Sequence, residues 1–329
     1  MSHPPKKATA VAHPNIALIK YWGKREVERN VPAVGSLSIT LDGLTTTTST
    51  TFDPRLPQDK FMLAGKEAPE MRRRVAECLN LVRNRTDTSG YALVESENDF
   101  PTAAGLASSA SGFAALVIAA DRALGSGLAL SELADIARHG SGSAPRSLFG
   151  GFVELRLTPK GVHPTEIRQV LEPSAWPIRV VVAVTDTGKK EIGSTEGMLL
   201  CERSSPFFGA WVESSQGDLA EALAAIQGRD FEALGEISES SCLKMHAVML
   251  SARPGLVYWN ETTVKCIHRV REMRAQGVPA FFTVDAGPQV KVVCLAEAAD
   301  HVAAAMGEIP GVIQISESGL GEGARVVED

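Results

Sequence analysis

Aromatic residues are sparse in this chain, at 5% of 329 residues, and positive charge is in deficit: 33 Lys and Arg stand against 39 Asp and Glu, a formal net charge of −6. A nucleic-acid surface normally shows as a basic excess, so nucleic acid is not expected as the main partner. Any anionic ligand must then be held by local clusters of cations. Cysteine is scarce too. Cys78, Cys201, Cys242, Cys266 and Cys294 are odd in number, scattered, and never spaced as a metal-binding pair, which fits buried or free thiols in a reducing cytosol. No apolar run approaches a membrane span, and the stretch up to His13 is too short and interrupted for a signal peptide. The expected setting is the cytoplasm, without a membrane partner.

Several catalytic signatures are also missing. There is no His-Glu-x-x-His, so a zinc enzyme is not expected, and no Gly-x-Ser-x-Gly elbow of a hydrolase. The one glycine-turn segment that opens a long apolar helix, Asn98-Asp99-Phe100-Pro101-Thr102-Ala103-Ala104-Gly105-Leu106-Ala107-Ser108-Ser109-Ala110-Ser111, lacks the lysine of a Walker loop and the three glycines of a dinucleotide fingerprint. It reads as an anion cradle, because the free N–H groups of a helix's first turn can meet phosphate oxygens. On local grounds a buried small-residue helix with serine caps fits equally well.

A hydrophobic content of 44% and the length suffice for two domains or one large one. Strand-like runs lie at 45–52, 151–157, 179–184 and 291–295, and helical patterns at 67–83, 112–124, 131–138, 218–226, 230–249, 257–275 and 296–306. The class is therefore α+β with more than one layer. The densest break in periodicity, 185–194, puts a boundary between an amino-terminal unit, 1–185, and a carboxy-terminal unit, 186–329.

Four more segments carry chemistry. His13 to Arg25 passes from polar through apolar residues to Lys20, Tyr21, Lys24 and Arg25, and two lysines four apart can point at one anion. The alternative is a strand whose cations reach solvent. Arg138 to Gly151 alternates Gly140, Ser141, Gly142 and Ser143 before Arg146, giving N–H and O–H donors beside a planar fork suited to carboxylate or phosphate, or else a tight loop with a structural arginine. Lys189 and Lys190 follow a valine strand in a Gly-containing loop, as a cationic lid or a plain linker. Asp285 ends an apolar strand before Gly287 and Pro288; it needs a cation to stay ionised, unless it merely caps its own turn.

In this order, the segments resemble the GHMP kinase superfamily and, within it, the mevalonate diphosphate decarboxylase family: 15–24, 101–111, 140–151, Lys189-Lys190 with 193–198, and 284–288. The resemblance implies a two-domain GHMP kinase-like fold, mixed sheets packed against helices, with the active-site cleft between the domains. It implies ATP-dependent decarboxylation of (R)-5-diphosphomevalonate to isopentenyl diphosphate in the mevalonate pathway, releasing ADP, phosphate and CO2, with Mg2+ as cofactor and a homodimer as assembly. A phosphomevalonate decarboxylase or mevalonate kinase of the same fold is the alternative, and a non-catalytic nucleotide-binding regulator a more distant one.

By the same resemblance, Asp285, Lys20 and Arg146 are catalytic. Asn15, Tyr21, Lys24, Ser141, Gly142 and Ser143, again with Arg146, bind the substrate. Ser96, Asn98, Gly105, Leu106, Ala107, Ser108, Ser109, Lys189 and Lys190 bind ATP, and Ser108 is the side-chain ligand of a magnesium ion otherwise held by phosphates and water. Pro145 departs from the small residue common at that position, and as proline it offers no N–H to a phosphate.

Overall fold

The computed structural model describes residues 6–86, 90–100, 108–158, 164–188 and 190–327. Among these residues the strands form three larger sheets and one ribbon. The first sheet runs β16 (Arg325–Val327), β1 (Lys6–Ala12), β6 (Thr46–Asp53), β9 (Tyr91–Asn98), β7 (Lys60–Leu63) and β8 (Lys66–Glu67), antiparallel except for the parallel β7–β9 pair. The second runs β11 (Thr165–Leu171), β10 (Phe152–Leu157), β5 (Ser36–Thr40) and β2 (Asn15–Ile19). The third runs β13 (Ala280–Val284), β14 (Val290–Leu295), β12 (Ile178–Val184) and β15 (Gln314–Ser318), while β3 (Lys24–Glu26) and β4 (Val31–Pro32) make the ribbon.

Nine helices join them among the described residues: α1 (Arg72–Arg83), α2 (Ser108–Leu124), α3 (Leu130–Gly140), α4 (Ala144–Ser147), α5 (Ser194–Ser204), α6 (Phe208–Gly228), α7 (Phe231–Leu250), α8 (Glu261–Ala275) and α9 (Ala299–Gly307). α2 is apolar nearly all round because it is wrapped. It lies across β1 and β6 with α1, α3 and α4 beside it, and its alanines let these neighbours approach closely.

The third sheet is covered on both faces, which explains its continuous apolar strands. Val180, Val182 and Val184 of β12 face a core shared with β2, β5 and α6, while Val181 and Ala183 face a second core under α8 and α9. β13 is an edge strand, and α7 covers that edge. Phe282 N donates to Glu239 Oε1 at 3.2 Å and Val284 N to Cys242 Sγ at 3.2 Å, so the edge's backbone donors are satisfied by helix side chains. From the other side, Lys20 N just beyond β2 donates to Ser241 Oγ of α7 at 3.0 Å. One helix thus sets the end of β2 against the end of β13.

The strands expected from composition are β6, β10, β12 and β14, but several helix limits differ. The pattern at 67–83 begins as strand β8 and a 3-10 turn at Pro69–Met71, because Lys66 and Glu67 pair with β7. α8 starts at Glu261 rather than 257, capped by Asn260, whose side chain accepts from Thr263 N at 2.8 Å. The pattern at 296–306 also opens with a 3-10 turn, Ala296–Ala298, and α9 begins at Ala299. α6 extends ten residues before 218, where Gly209, Gly217 and serines weaken the helical signal but buried Trp211 and Ser215 anchor the turns. The residues just beyond the break at 185–194, which carry no helical expectation, form helix α5; Met198 and Cys201 pack with Trp22 in one core. β12 and β16 also show chain crossing between the halves: β12 pairs with β14 and β15, and β16 returns to β1.

Glu239 ties α7, α8 and β13 together, since its carboxylate also accepts two bonds from Arg274 at 2.9 and 3.0 Å. Glu239→Ala should lower stability by about 2–3 kcal/mol, read as a lower urea midpoint, because a buried N–H and a guanidinium lose their acceptor together.

Candidate active site

A cavity of about 740 Å³ opens between the two halves of the chain and gathers the described residues singled out from the sequence. Asn15, Lys20, Tyr21 and Lys24 come from β2 and its exit, Ser96 and Asn98 from β9, and Ser108 and Ser109 from the start of α2. Ser141, Gly142, Ser143 and Arg146 come from the loop into α4, and Lys190 and Asp285 from the carboxy-terminal half. Gly105, Leu106, Ala107 and Lys189 lie outside the described residues.

One end of the cavity is cationic. Arg146 is 2% exposed, and its guanidinium donates to Ser36 Oγ at 2.6 Å and to Asn15 Oδ1 at 3.4 Å, lying over the Tyr21 ring. Asn15 in turn donates to Ser143 O at 3.1 Å and Ser147 Oγ at 2.8 Å, so one amide fixes both the arginine and the serine loop. Pro145 falls in the first turn of α4, where a helix has no use for its N–H. Burial lowers the Arg146 pKa to about 10, which leaves it charged at neutral pH.

Lys24 Nζ donates to Tyr21 Oη at 2.7 Å and to Asn30 Oδ1, and no carboxylate faces it among these contacts. Burial and the neighbouring charges of Arg138 and Arg146 bring its pKa down to about 7. Burial pushes the Tyr21 hydroxyl up to about 12, so it remains a proton donor. A Cβ on Gly142 would collide with the Tyr21 hydroxyl, and one on Gly140 with the Phe113 ring; close approach demands glycine at both positions. The hydroxyls of Ser109, Ser141 and Ser143 form a chain, 3.2 and 3.1 Å apart, that joins the α2 start to this loop.

The centre of the cavity holds the carboxylate. Along β13 alternate residues face β2: Thr283 Oγ1 donates to Ala17 O at 3.3 Å, and Asp285, two residues on, points the same way. Lys20 Nζ meets Asp285 Oδ1 at 2.6 Å and Lys291 Nζ meets Oδ2 at 3.2 Å. Burial alone would raise the Asp285 pKa. The charges and hydrogen bonds of the two lysines outweigh it and hold the group well below the usual carboxylate range, ionised at any neutral pH.

The far end is apolar, lined by Phe61, Leu63, Met71, Val75, Phe113 and Leu116, with Ser96 and Asn98 at its edge. Such a slot suits a flat heterocyclic base. Sequence reasoning missed it, along with Asn30, Arg138 and Lys291. Arg138 opens the serine segment without a role of its own in the sequence reading, and Lys291 carries a signal of its own, a single cation inside a valine strand.

Comparison with known proteins identifies the family. The family described as "Diphosphomevalonate decarboxylase-like N-terminal domain" matches residues 12–163, and "Mevalonate 5-diphosphate decarboxylase C-terminal domain" matches 180–318. The human diphosphomevalonate decarboxylase is 37% identical over 318 residues, covering 90% of this chain and 79% of the human one. The crystal structure of mevalonate diphosphate decarboxylase from Staphylococcus aureus is 37% identical with a TM-score of 0.93, covering 99% of both chains. A solved complex of a protein designated MDDEF with MVAPP, AMPPCP and magnesium is 38% identical with a TM-score of 0.91, covering 99% of this chain and 100% of that one. With both halves matched in order and the fold shared end to end, this chain belongs to the diphosphomevalonate decarboxylase family.

Proposed function

We propose that the cavity binds (R)-5-diphosphomevalonate and ATP side by side and converts them to isopentenyl diphosphate, ADP, phosphate and CO2. The observation that carries this reading is one ionised carboxylate between a buried cationic pocket and an apolar slot. The diphosphate of the substrate lies on Tyr21, Lys24 and the Ser141-Gly142-Ser143 loop, and its carboxylate on the Arg146 fork. ATP runs from the apolar slot past Ser96 and Asn98 to the start of α2, where Ser108 and Ser109, with the preceding residues Gly105, Leu106 and Ala107, meet its phosphates. Lys189 and Lys190 close over the triphosphate.

Asp285 accepts a hydrogen bond from the substrate's 3-hydroxyl and aims its oxygen at the γ-phosphorus. A strongly acidic carboxylate suffices for this task. Phosphoryl transfer passes through a loose transition state in which the hydroxyl proton leaves late, passing to Asp285 as the oxygen bonds phosphorus and becomes strongly acidic, so orientation matters more than basicity. Once the 3-oxygen carries a phosphoryl group it is a good leaving group. The electron pair of the bond to the carboxylate carbon then forms the new double bond as the C–O bond breaks, giving CO2 and phosphate. Lys20, Lys190 and Arg146 offset the negative charge gathered there.

The donors at the ATP end fit magnesium, a hard cation that keeps water and phosphate ligands. Among the described residues no cluster of three His, Cys, Asp or Glu side chains competes to cage it, and Ser108 offers a hydroxyl at the place where phosphates would lie. When bound, the ion neutralises phosphate charge. The five buried free thiols suit a reducing cytoplasm, and the family resemblance a homodimer, which light scattering would test.

Wild-type protein given both substrates with magnesium should release one CO2 per ADP. Asp285→Asn should bind both ligands nearly unchanged and lose roughly 10²–10⁴-fold in turnover; near wild-type CO2 release from it contradicts the assigned role. The Lys24 shift gives a pH test. Its pKa of about 7 in the free protein must rise when an anion binds beside it, so binding above pH 7 takes up a proton and affinity for the diphosphate falls with pH, by up to about tenfold per unit. Calorimetry in buffers of different ionisation enthalpy would count that proton. Lys24→Met should abolish the uptake, and uptake that persists in Lys24→Met places the titrating group elsewhere.

A further inference from the structure

Lys291 stands where the fold asks for a valine. It is the second residue of β14, in the run Val290-Lys291-Val292-Val293, and is 1% exposed. Alternation puts it on the face that carries Val293, Phe281, Val180 and Val182, an apolar core in which an unneeded ammonium costs several kcal/mol. A structural role at this position would be filled better by an aliphatic side chain. The register sets Lys291 opposite Thr283, so its side chain reaches diagonally along the same face to Asp285 and meets Oδ2 at 3.2 Å while Lys20 holds Oδ1 at 2.6 Å.

We infer that Lys291 is a positioning residue for the phosphoryl transfer, the second of two buried cations that between them fix both oxygens of the Asp285 carboxylate. The inference rests on Asp285 being the group that meets the 3-hydroxyl. A carboxylate tied by one oxygen can still swing about its terminal bond; tied by both, it has a single orientation toward the substrate. The two lysines arrive from different elements, Lys20 from the exit of β2 and Lys291 from β14, so the orientation is referred to both halves of the cleft. With its two oxygens occupied, Asp285 has no need of Lys190. That lysine lies beside Gly287 with its ammonium 6.0 Å from the centre of the Tyr258 ring; burial first and the Lys291 charge second lower its pKa, against the pull of Asp285.

The test separates orientation from stability. Lys291→Met, with Lys291→Gln as a second variant, should lower kcat by roughly ten- to a hundredfold, the scale of a misplacement of about 1 Å, and leave KM for both substrates within about twofold. The thermal midpoint of Lys291→Met should change by no more than a few degrees, since Lys20 still pairs with Asp285 and the apolar side chain removes a buried cation from the core. In an Asp285→Asn background, Lys291→Met should cost less than about twofold more, because it acts only through the carboxylate. Unchanged kcat in both single variants overturns the inference, as does a loss that tracks a lower thermal midpoint or that multiplies with Asp285→Asn. If Asp285→Asn alone keeps its turnover, the role of Asp285 itself falls, a result distinguishable from failure at Lys291.

Discussion

Everything in the cleft turns on keeping one half-buried carboxylate ionised and held in place. Asp285 lies at the end of an edge strand, and burial by itself would raise its pKa. Two lysines prevent this, one from the amino-terminal half and one from a neighbouring strand. The ion pair therefore does two jobs. It maintains the charge state, and it couples the end of β2 to the end of β13, which α7 already brings together through Ser241 and Cys242.

Around this pivot the electrostatics are deliberately unbalanced. Lys24 and Arg146 are buried with hydroxyl and amide partners and, among the described residues, no carboxylate in contact, while Arg138 has Asp135 at 2.6 Å. Burying cations without counter-charge is costly, and the lowered pKa of Lys24 records that cost. An anion bearing two or more charges relieves it. The pocket thus favours an anionic ligand at the expense of the empty state, and the serine chain from Ser109 to Ser143 links it by hydrogen bonds to the start of α2.

Much of the site was legible in the sequence because its residues break local rules. Glycines and serines alternate before Arg146, lysines follow apolar runs at Lys20 and Lys190, and Asp285 ends a strand that is otherwise buried. Such violations mark function. The apolar slot was not legible, since Phe61, Met71 and Phe113 obey the ordinary rule that apolar residues are buried and only the third dimension shows that they line a cavity. Lys291 broke the rule but was passed over, because the run around it reads as a core strand. In the fold, the periodic helices and valine-rich strands were readable; α5 and the start of α6 were not, as packing on Trp22 and Trp211 overrode weak local propensity.

The most direct test of this arrangement is the structure of the protein with (R)-5-diphosphomevalonate and a non-hydrolysable ATP analogue bound together. The 3-hydroxyl should lie about 2.6–3.2 Å from Asp285, in line with the γ-phosphate, with the diphosphate against Lys24 and the Ser141-Gly142-Ser143 loop. A complex in which the hydroxyl is turned away from Asp285, or the diphosphate occupies the other end of the cavity, would contradict it.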